Sequence, residues 1–304
     1  METHLVPRSW LAGDLDKVRR AVMRPFGSKV VRPVGEADRV AALEICAQDP
    51  VANCYVAARM DEVDLDRTRG ALWGYYPEGR LSALSWSTAN LIPVGCDAQA
   101  AAAFADRWRR HQHQFSSIFG PAEQVSAIWE RLASWWRPPL EVRPRQPLQV
   151  MGPTDPLGIA PDLRVRHATD HELDLLVPAA AAMFTEEIGY APYVDRVGEV
   201  GYRHAVRSLV VRRRSYVLVA QGRVIFKADL GSVGVGAGQI QGVWVDPQYR
   251  GQGLAAPAMA QVVQLARREV DWVSLYVNDY NTAALRTYAR VGFRTVGTYS
   301  TILF

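Results

Sequence analysis

The stretch from Gln241 to Ala255, Q-G-V-W-V-D-P-Q-Y-R-G-Q-G-L-A, holds the residue types best placed for chemistry. Gly251 and Gly253 carry no Cβ, so a phosphate can approach the backbone there and the chain can take a positive φ. Arg250 adds a forked, charged donor for the same oxygens. Gln252, Leu254 and Ala255 complete the run of amides around the turn. Such a turn needs a strand to deliver it and a helix to receive it. Val243, Trp244 and Val245 form a β-branched and aromatic run that predicts a strand, closed by Asp246-Pro247. Leu254, Ala258, Val262 and Ala266 recur every four residues, with Met259 and Val263 beside them, which predicts one apolar helical face. Strand, glycine turn and helix together aim several unpaired backbone N–H groups at one point, where the helix dipole adds partial positive charge. An anion is expected there. Taken alone, G-x-G also fits an ordinary βα turn. No third glycine follows at the dinucleotide offset, and the phosphate-loop lysine is absent.

A second block lies downstream. Trp272 to Val277, W-V-S-L-Y-V, predicts another strand, and Asn278 to Phe293, N-D-Y-N-T-A-A-L-R-T-Y-A-R-V-G-F, follows it. Asn281 is a candidate N-cap and Gly292 a candidate stop, so the helix between them is short. Asn281 and Tyr288 are seven residues apart, which on a helix is about two turns and about 10 Å along nearly one face. Tyr288 can therefore point into whatever cleft Asn281 borders, although tyrosine at this spacing also serves as core. Taken together, V-x-V-x-P-x-x-R-G-x-G-x-A followed by N-x-x-A-x-x-x-Y-x-x-x-G-F resembles the GNAT superfamily of acyl-CoA-dependent N-acyltransferases. The first block is similar to that family's pyrophosphate loop, also as Q-x-x-G-x-G from Gln248, and the second to its closing helix and tyrosine.

The resemblance implies an α/β (α+β) fold and a transfer of acetyl from acetyl-CoA, a cosubstrate, to a primary amine. It implies that the strand at Val243, Trp244 and Val245 splays from its neighbour and pairs with the pantetheine arm as an added edge strand would. A backbone N–H of Val243 or Val245 would polarise the thioester carbonyl, where negative charge develops during attack. Arg250 to Ala255 would hold the diphosphate, Asn281 the pantetheine or the helix end, and Tyr288 would give a proton to the departing thiolate. An alkyl amine is mostly protonated at neutral pH, so a base is needed. Glu186 and Glu187 are the first candidates and Asp229 the second, with a water chain on Gln241 as a substitute because the cofactor strand carries Gln239 and Gln241 but no glutamate.

At 304 residues, 49% of them apolar, the chain is long for one domain and has ample material for two cores. A formal net charge of +4 is mildly basic and is no nucleic-acid signature. Arg212 to Arg214 is the only dense basic run and reads as a solvated helix end. Three cysteines, Cys46, Cys54 and Cys96, lack metal or redox spacing, so no metal site is expected and a reduced compartment is. No apolar run approaches 18 residues and no secretory pattern opens the sequence. The expectation is a cytoplasmic protein with no membrane and no nucleic-acid partner.

Residues 1–28 give only a weak amphipathic set at Leu11, Leu15, Val18 and Val22, after a segment, His4 to Ser9, similar to a protease-site remnant. Residues 29–151 run β, α, α, β, β, α, β, α, β: Val30 to Val34, Glu36 to Ala47, Ala52 to Met60, a hairpin around Pro77-Glu-Gly79 with Asn90 to Val94 after it, Ala98 to His111, Phe115 to Phe119, Ala122 to Trp136 and Leu140 to Met151. This is again the GNAT order, without an R-G-x-G loop and without the asparagine and tyrosine helix, and Pro121 removes a donor before a helix. Asp49 to Arg59, D-P-V-A-N-C-Y-V-A-A-R, resembles the amino-terminal domain that precedes a GNAT domain in a group of actinobacterial proteins. The chain is thus expected to hold two GNAT-like domains in tandem, each a mixed, mostly antiparallel sheet flanked by helices. The first would be a degenerate copy and the second, residues 161–304, catalytic, with a linker at 152–160.

In the second domain Leu163 to His167 predicts a strand, and Asp170 to Glu186 a helix capped by Thr169 and split at Pro178. Ile188 to Tyr202 predicts a loop near the acceptor and Tyr202 to Val211 a helix. A hairpin around Gln221-Gly222 follows, and Gly231 to Gly238 predicts a flexible or closely approached turn. Two rivals to a simple N-acetyltransferase are a synthase of the mycothiol-synthase type with a small amino-sugar acceptor, and a non-catalytic acyl-CoA sensor or interaction protein whose first half binds a partner. Retention of Tyr288 weighs against the sensor, which has no need of a proton donor.

Overall fold

The computed structural model describes residues 30–68 and 70–304. The amphipathic set at Leu11 to Val22, the segment His4 to Ser9 and the boundary at residue 29 lie outside them. The chain opens with β1 (Val31–Pro33), a 3-10 turn, and helices α1 (Arg39–Ala47) and α2 (Pro50–Asp61). Strands β2 (Leu72–Tyr75), β3 (Ala83–Ser87) and β4 (Asn90–Val94) follow, then α3 (Ala98–Trp108), β5 (Ser117–Pro121), α4 (Ala122–Leu132) and β6 (Glu141–Met151). The same order then repeats: β7 (Arg166–His167), α5 (Leu173–Ile188), α6 (Arg196–Val211), β8 (Ser215–Ala220), β9 (Arg223–Gly234), β10 (Ala237–Val245), α7 (Ala255–Ala266), β11 (Trp272–Tyr276), α8 (Thr282–Val291) and β12 (Arg294–Leu303).

Local chemistry explains where the helices start. Asp49 accepts from the Ala52 amide at 3.0 Å and Pro50 takes the first helical position of α2, where its missing N–H costs nothing. Thr169 and Glu172 form a reciprocal capping box before α5. Asp195 accepts from the Gly198 amide at 2.7 Å and opens α6. Asn281 accepts from the Ala284 amide at 3.1 Å to open α8, and Gly292, at φ 116°, ends it in the left-handed conformation.

The chain forms two compact units. In the described residues of the first, 30–148 with 276–279 and 295–304, the strand order runs β1-β2-β3-β4-β5-β12, antiparallel throughout except for the parallel pair β4 and β5. Its core gathers Leu91, Phe104, Trp108, Ile118, Ile128 and Ile302. In the second unit, 149–275 with 280–294, the order is β11-β10-β9-β8-β7, again antiparallel but for the parallel pair β10 and β11. Phe226, Ala228, Met259, Val262, Val263 and Val273 are buried there. Each unit is a mixed, mostly antiparallel sheet flanked by helices.

Three local expectations are corrected, and a fourth is decided between its two alternatives. Pro178 does not split the helix at Asp170 to Glu186; α5 runs unbroken from Leu173 to Ile188 with the proline inside it. The acceptor-side loop at Ile188 to Tyr202 is shorter than expected, because the Asp195 cap starts α6 at Arg196. Of the two readings of Gly231 to Gly238, the closely approached one holds: β9 continues to Gly234, Val235 and Gly236, at φ 46° and 78°, make a tight hairpin into β10, and a Cβ at Gly231 or Gly238 would stand 2.1 Å from Gln241 or 2.8 Å from Leu230. Finally, β12 joins the sheet of the first unit, where Ser300 pairs with Gly120 and Thr301 with Phe119. The Tyr299 hydroxyl donates to the Ala52 carbonyl, and the Thr301 hydroxyl donates to Gln146 Oε1 at 2.6 Å.

Candidate active site

Strands β10 and β11 pair in parallel only from Ala237 with Trp272 to Gln239 with Ser274, and then part. Beyond that point β10 keeps β9 on one side and, among the described residues, has no strand partner on the other through Val245. The ladder with β9 carries one extra residue on β10, since Gln241 faces Asp229 and Trp244 faces Lys227. This bulge sits at Gly242, at φ 59°. Val243 and Val245 are half-buried and Trp244 is buried. Gln241 is exposed and lies over Gly231, where any Cβ would collide with its amide, while Gln239 is buried.

Past Val245 the chain turns under tight control. The buried Asp246 carboxylate accepts from the Gln248 amide at 3.0 Å and from Arg223 Nη2 at 2.7 Å. Gly251 and Gly253 then adopt φ of 74° and 78°, and a Cβ built on either would meet nothing within 4 Å. They are required by conformation, and the space before them is open. Helix α7 begins behind Leu254 with no side-chain cap and no acidic residue in its first turn. Ala255 and Ala256 thus open a helix N-terminus that presents its donors and positive dipole end to an incoming anion. Pro257 falls in the same turn, where it forfeits no intrahelical bond.

The expected basic and acidic residues meet each other. Arg250 donates from Nε to the Val245 carbonyl at 2.9 Å and from Nη2 to Glu186 Oε2 at 2.6 Å. Glu186 Oε1 accepts from Trp244 Nε1 at 3.1 Å. Glu186 therefore ties the end of α5 to the strand and to the glycine turn. Gln252 folds its amide back onto the Gln248 carbonyl at 2.9 Å.

Tyr288, on α8, is 7% exposed and stacks edge-on against Phe293 at 5.8 Å between centroids. Burial pushes its hydroxyl pKa upward, and the charge of Glu187 pushes it further the same way. Glu187, exposed at the end of α5, is thereby electrostatically coupled to the phenol, whereas Glu186 one residue earlier is engaged by Arg250 and Trp244. The Asn281 carbonyl oxygen is spent on capping α8. Asp229 is buried, with Lys227 Nζ at 2.6 Å on one oxygen and the Ser215 hydroxyl at 2.7 Å on the other. Lys227 had no part in the reading of the sequence. The signal was there in V-I-F-K-A-D-L, a lysine and an aspartate two apart on one face of an otherwise apolar strand.

The corresponding place in the first unit is built differently. There β4 and β5 also pair in parallel for only two residues, Asn90 with Ser117 and Leu91 with Ile118. The helix that follows β4, however, is capped by its own Asp97, whose Oδ1 accepts from the Gln99 and Ala100 amides at 2.9 and 2.8 Å. A carboxylate of the chain occupies the anion seat. Among the described residues no group of three His, Cys, Asp or Glu side chains is placed to hold a metal ion, and no helix is long and apolar enough to cross a membrane.

Residues 180–293 match the model of the acetyltransferase (GNAT) family. The second unit is a GNAT acetyltransferase domain. Residues 70–176 match a domain of unknown function, DUF4081. A mycothiol acetyltransferase of Tsukamurella paurometabola is 30% identical over 156 residues, 49% of this chain and 53% of that protein. One from Thermobispora bispora is 46% identical over 57 residues, 18% of this chain and 19% of the relative. The chain therefore spans between about a fifth and about half of the length of these curated relatives. The GCN5-related N-acetyltransferase of Sphaerobacter thermophilus has a solved structure that superposes with a TM-score of 0.63 at 18% identity, over 91% of this chain and 96% of that one. At that identity the likeness is one of fold.

Proposed function

We propose that the chain is an acetyl-CoA-dependent N-acetyltransferase acting on a primary amine, with its active site in the GNAT domain. The observation that carries this reading is the parting of β10 from β11 directly before an uncapped helix N-terminus. Acetyl-CoA would supply the activated thioester. The amides of Gly251, Gln252, Gly253, Leu254 and Ala255 would hold the diphosphate, and the unpaired edge of β10 at Val243, Trp244 and Val245 the pantetheine amides. Arg250 would brace the turn with the two donors that serve Val245 and Glu186 and offer its remaining guanidinium N–H groups to the diphosphate. Tyr288 carries its proton at neutral pH and would give it to the leaving sulfur. Of the two glutamates, Glu187 is favoured as the base that takes the ammonium proton, because its charge reaches Tyr288. Asp229, committed to Lys227 and Ser215, is set aside as a base. Asn281 would act by fixing the start of the tyrosine helix.

An amino-sugar acceptor of the mycothiol type is the second reading, favoured by the curated relatives of that name. Calorimetry of the full chain with CoA, followed by thiol release from acetyl-CoA across a panel of a polyamine, a peptide N-terminus and amino sugars, tests both. Heat on CoA addition and transfer to at least one amine, reduced about 100-fold in Tyr288→Phe, is the expected result. No heat with CoA, or equal rates in the variant, would overturn the reading.

A further inference from the structure

Strand β9 hides a pair of charges that the reaction as described leaves unused. Val224, Ile225, Phe226, Ala228 and Leu230 are buried along it, and so are Lys227, at 1% exposure, and Asp229. Lys227 Nζ donates to Asp229 Oδ2 at 2.6 Å and to the Gly242 carbonyl at 2.9 Å. Met183 closes the cluster from α5, and Tyr202 of α6 feels the Asp229 charge. A buried ion pair is seldom a better source of stability than apolar packing of the same volume, so its position is the informative feature. It ends on the backbone oxygen of the β10 bulge.

That oxygen belongs to the same peptide group as the Val243 N–H. A trans peptide is planar and points its oxygen and its N–H in opposite directions, and the described chain has no cis bond. Fixing the Gly242 oxygen against Lys227 therefore fixes the Val243 N–H away from the ion pair. A charged donor on the oxygen also polarises the group and strengthens the N–H as a donor. Gly242 is compelled twice over: its φ is 59°, and a Cβ would stand 2.9 Å from Lys227 Nζ and 3.1 Å from Asp229 Oδ2.

Resting on the acetyl-transfer reading above, we propose that Lys227 is a positioning residue that selects and strengthens the Val243 amide, rather than that of Val245, as the donor to the thioester oxygen. The ion pair is the device that holds the bulge peptide in one orientation. The step it serves balances simply. The amine nitrogen bonds to the carbonyl carbon and gives up its proton to the base, the C–S bond breaks with the thiolate taking the Tyr288 proton, and the oxygen that carries negative charge in between is the acceptor of the Val243 N–H.

The test uses the full chain, and its first readouts need no turnover. In the wild-type protein labelled with 15N, acetyl-CoA should shift the Val243 amide proton downfield while free CoA, which has no acyl oxygen, should not, and the Val245 amide should stay in place. Bound [1-13C]acetyl-CoA should show its carbonyl carbon downfield of the free compound. In Lys227→Met with Asp229→Leu, which strands neither charge, CoA should bind within about twofold of wild type, the carbonyl shift should vanish, and kcat should fall about 100-fold. Lys227→Arg, which keeps a donor, should recover part of both. A response at Val245 instead of Val243, or a double variant with wild-type carbonyl shift and kcat, overturns the role of Lys227 and leaves acetyl transfer intact. Absence of acetyl-CoA binding by the wild type overturns acetyl transfer and the proposal with it.

Discussion

Adjacent residues of the same type have separate duties here. Glu186 joins Arg250 and Trp244, and Glu187 acts on Tyr288. Glu186→Gln should accordingly raise the KM for acetyl-CoA several-fold through the loosened turn while kcat stays within about twofold. Glu187→Gln should lower kcat by about 100-fold, the scale of a lost general base. Initial rates from pH 5 to 9 for both variants check the pair. The sign for Tyr288 follows from the same contact. A negative neighbour raises a phenol pKa, so Glu187→Gln should lower it, yet leave it above the ordinary value because burial is the larger cause. A tyrosine fluorescence or ultraviolet titration reads this shift. Sequence pattern supplied both glutamates as equals, and the separation between them came from a tryptophan and an arginine more than fifty residues away.

Elements are set by their ends. Gly253 takes φ 78° with open space around it, so Gly253→Ala pays only for the left-handed backbone, about 1 kcal/mol. The expected outcome is a Tm lower by about 2 °C with CoA affinity reduced about tenfold, read by thermal unfolding and calorimetry. The capping box of α5 has a pH signature. Arg166 beside Glu172 holds its carboxyl down to about 2 from the ordinary 4.5. A carboxyl depressed in the folded state stabilises above its unfolded pKa and loses that contribution as pH falls through the folded one. Glu172→Gln should thus be less stable than wild type at pH 7, with the gap closing between pH 4.5 and about 2, as urea unfolding across that range will show. Because Arg166 is half exposed, the ion-pair part of the gap should be small and salt-sensitive.

Two predictions concern the whole molecule. The helix that follows β4 carries its own Asp97 on the donors that the helix after β10 leaves open. Calorimetry should therefore find one CoA per chain, and Asp97→Ala should lower Tm, since a lost N-cap costs about 1 kcal/mol. The second follows from β12. Residues 295–304 belong to the sheet of the first unit, hydrogen-bonded through Tyr299 and Thr301. A piece cut at the glycine- and proline-rich segment 152–160, containing 161–304 alone, should carry β12 away from its antiparallel partner β5. It should aggregate or show poor hydrogen-exchange protection at 295–304, whereas the full chain protects these amides.

Most of the element order was legible in the sequence, because alternation, capping residues and glycine stops act over three to eight residues. The glycine turn, the Asn281 cap and the Gly292 stop stand where local pattern predicts them. What local pattern leaves undecided depends on partners distant in the chain. The continuity of α5 through Pro178, the pairing of Glu186 with Arg250, the lysine under the Gly242 bulge and the placement of β12 beside β5 are of this kind. Short-range propensity fixes which segments are strands and helices. Burial, charge pairing and the hydrogen-bond demands of a bulged strand fix which of their side chains meet, and only the folded chain satisfies all of them together.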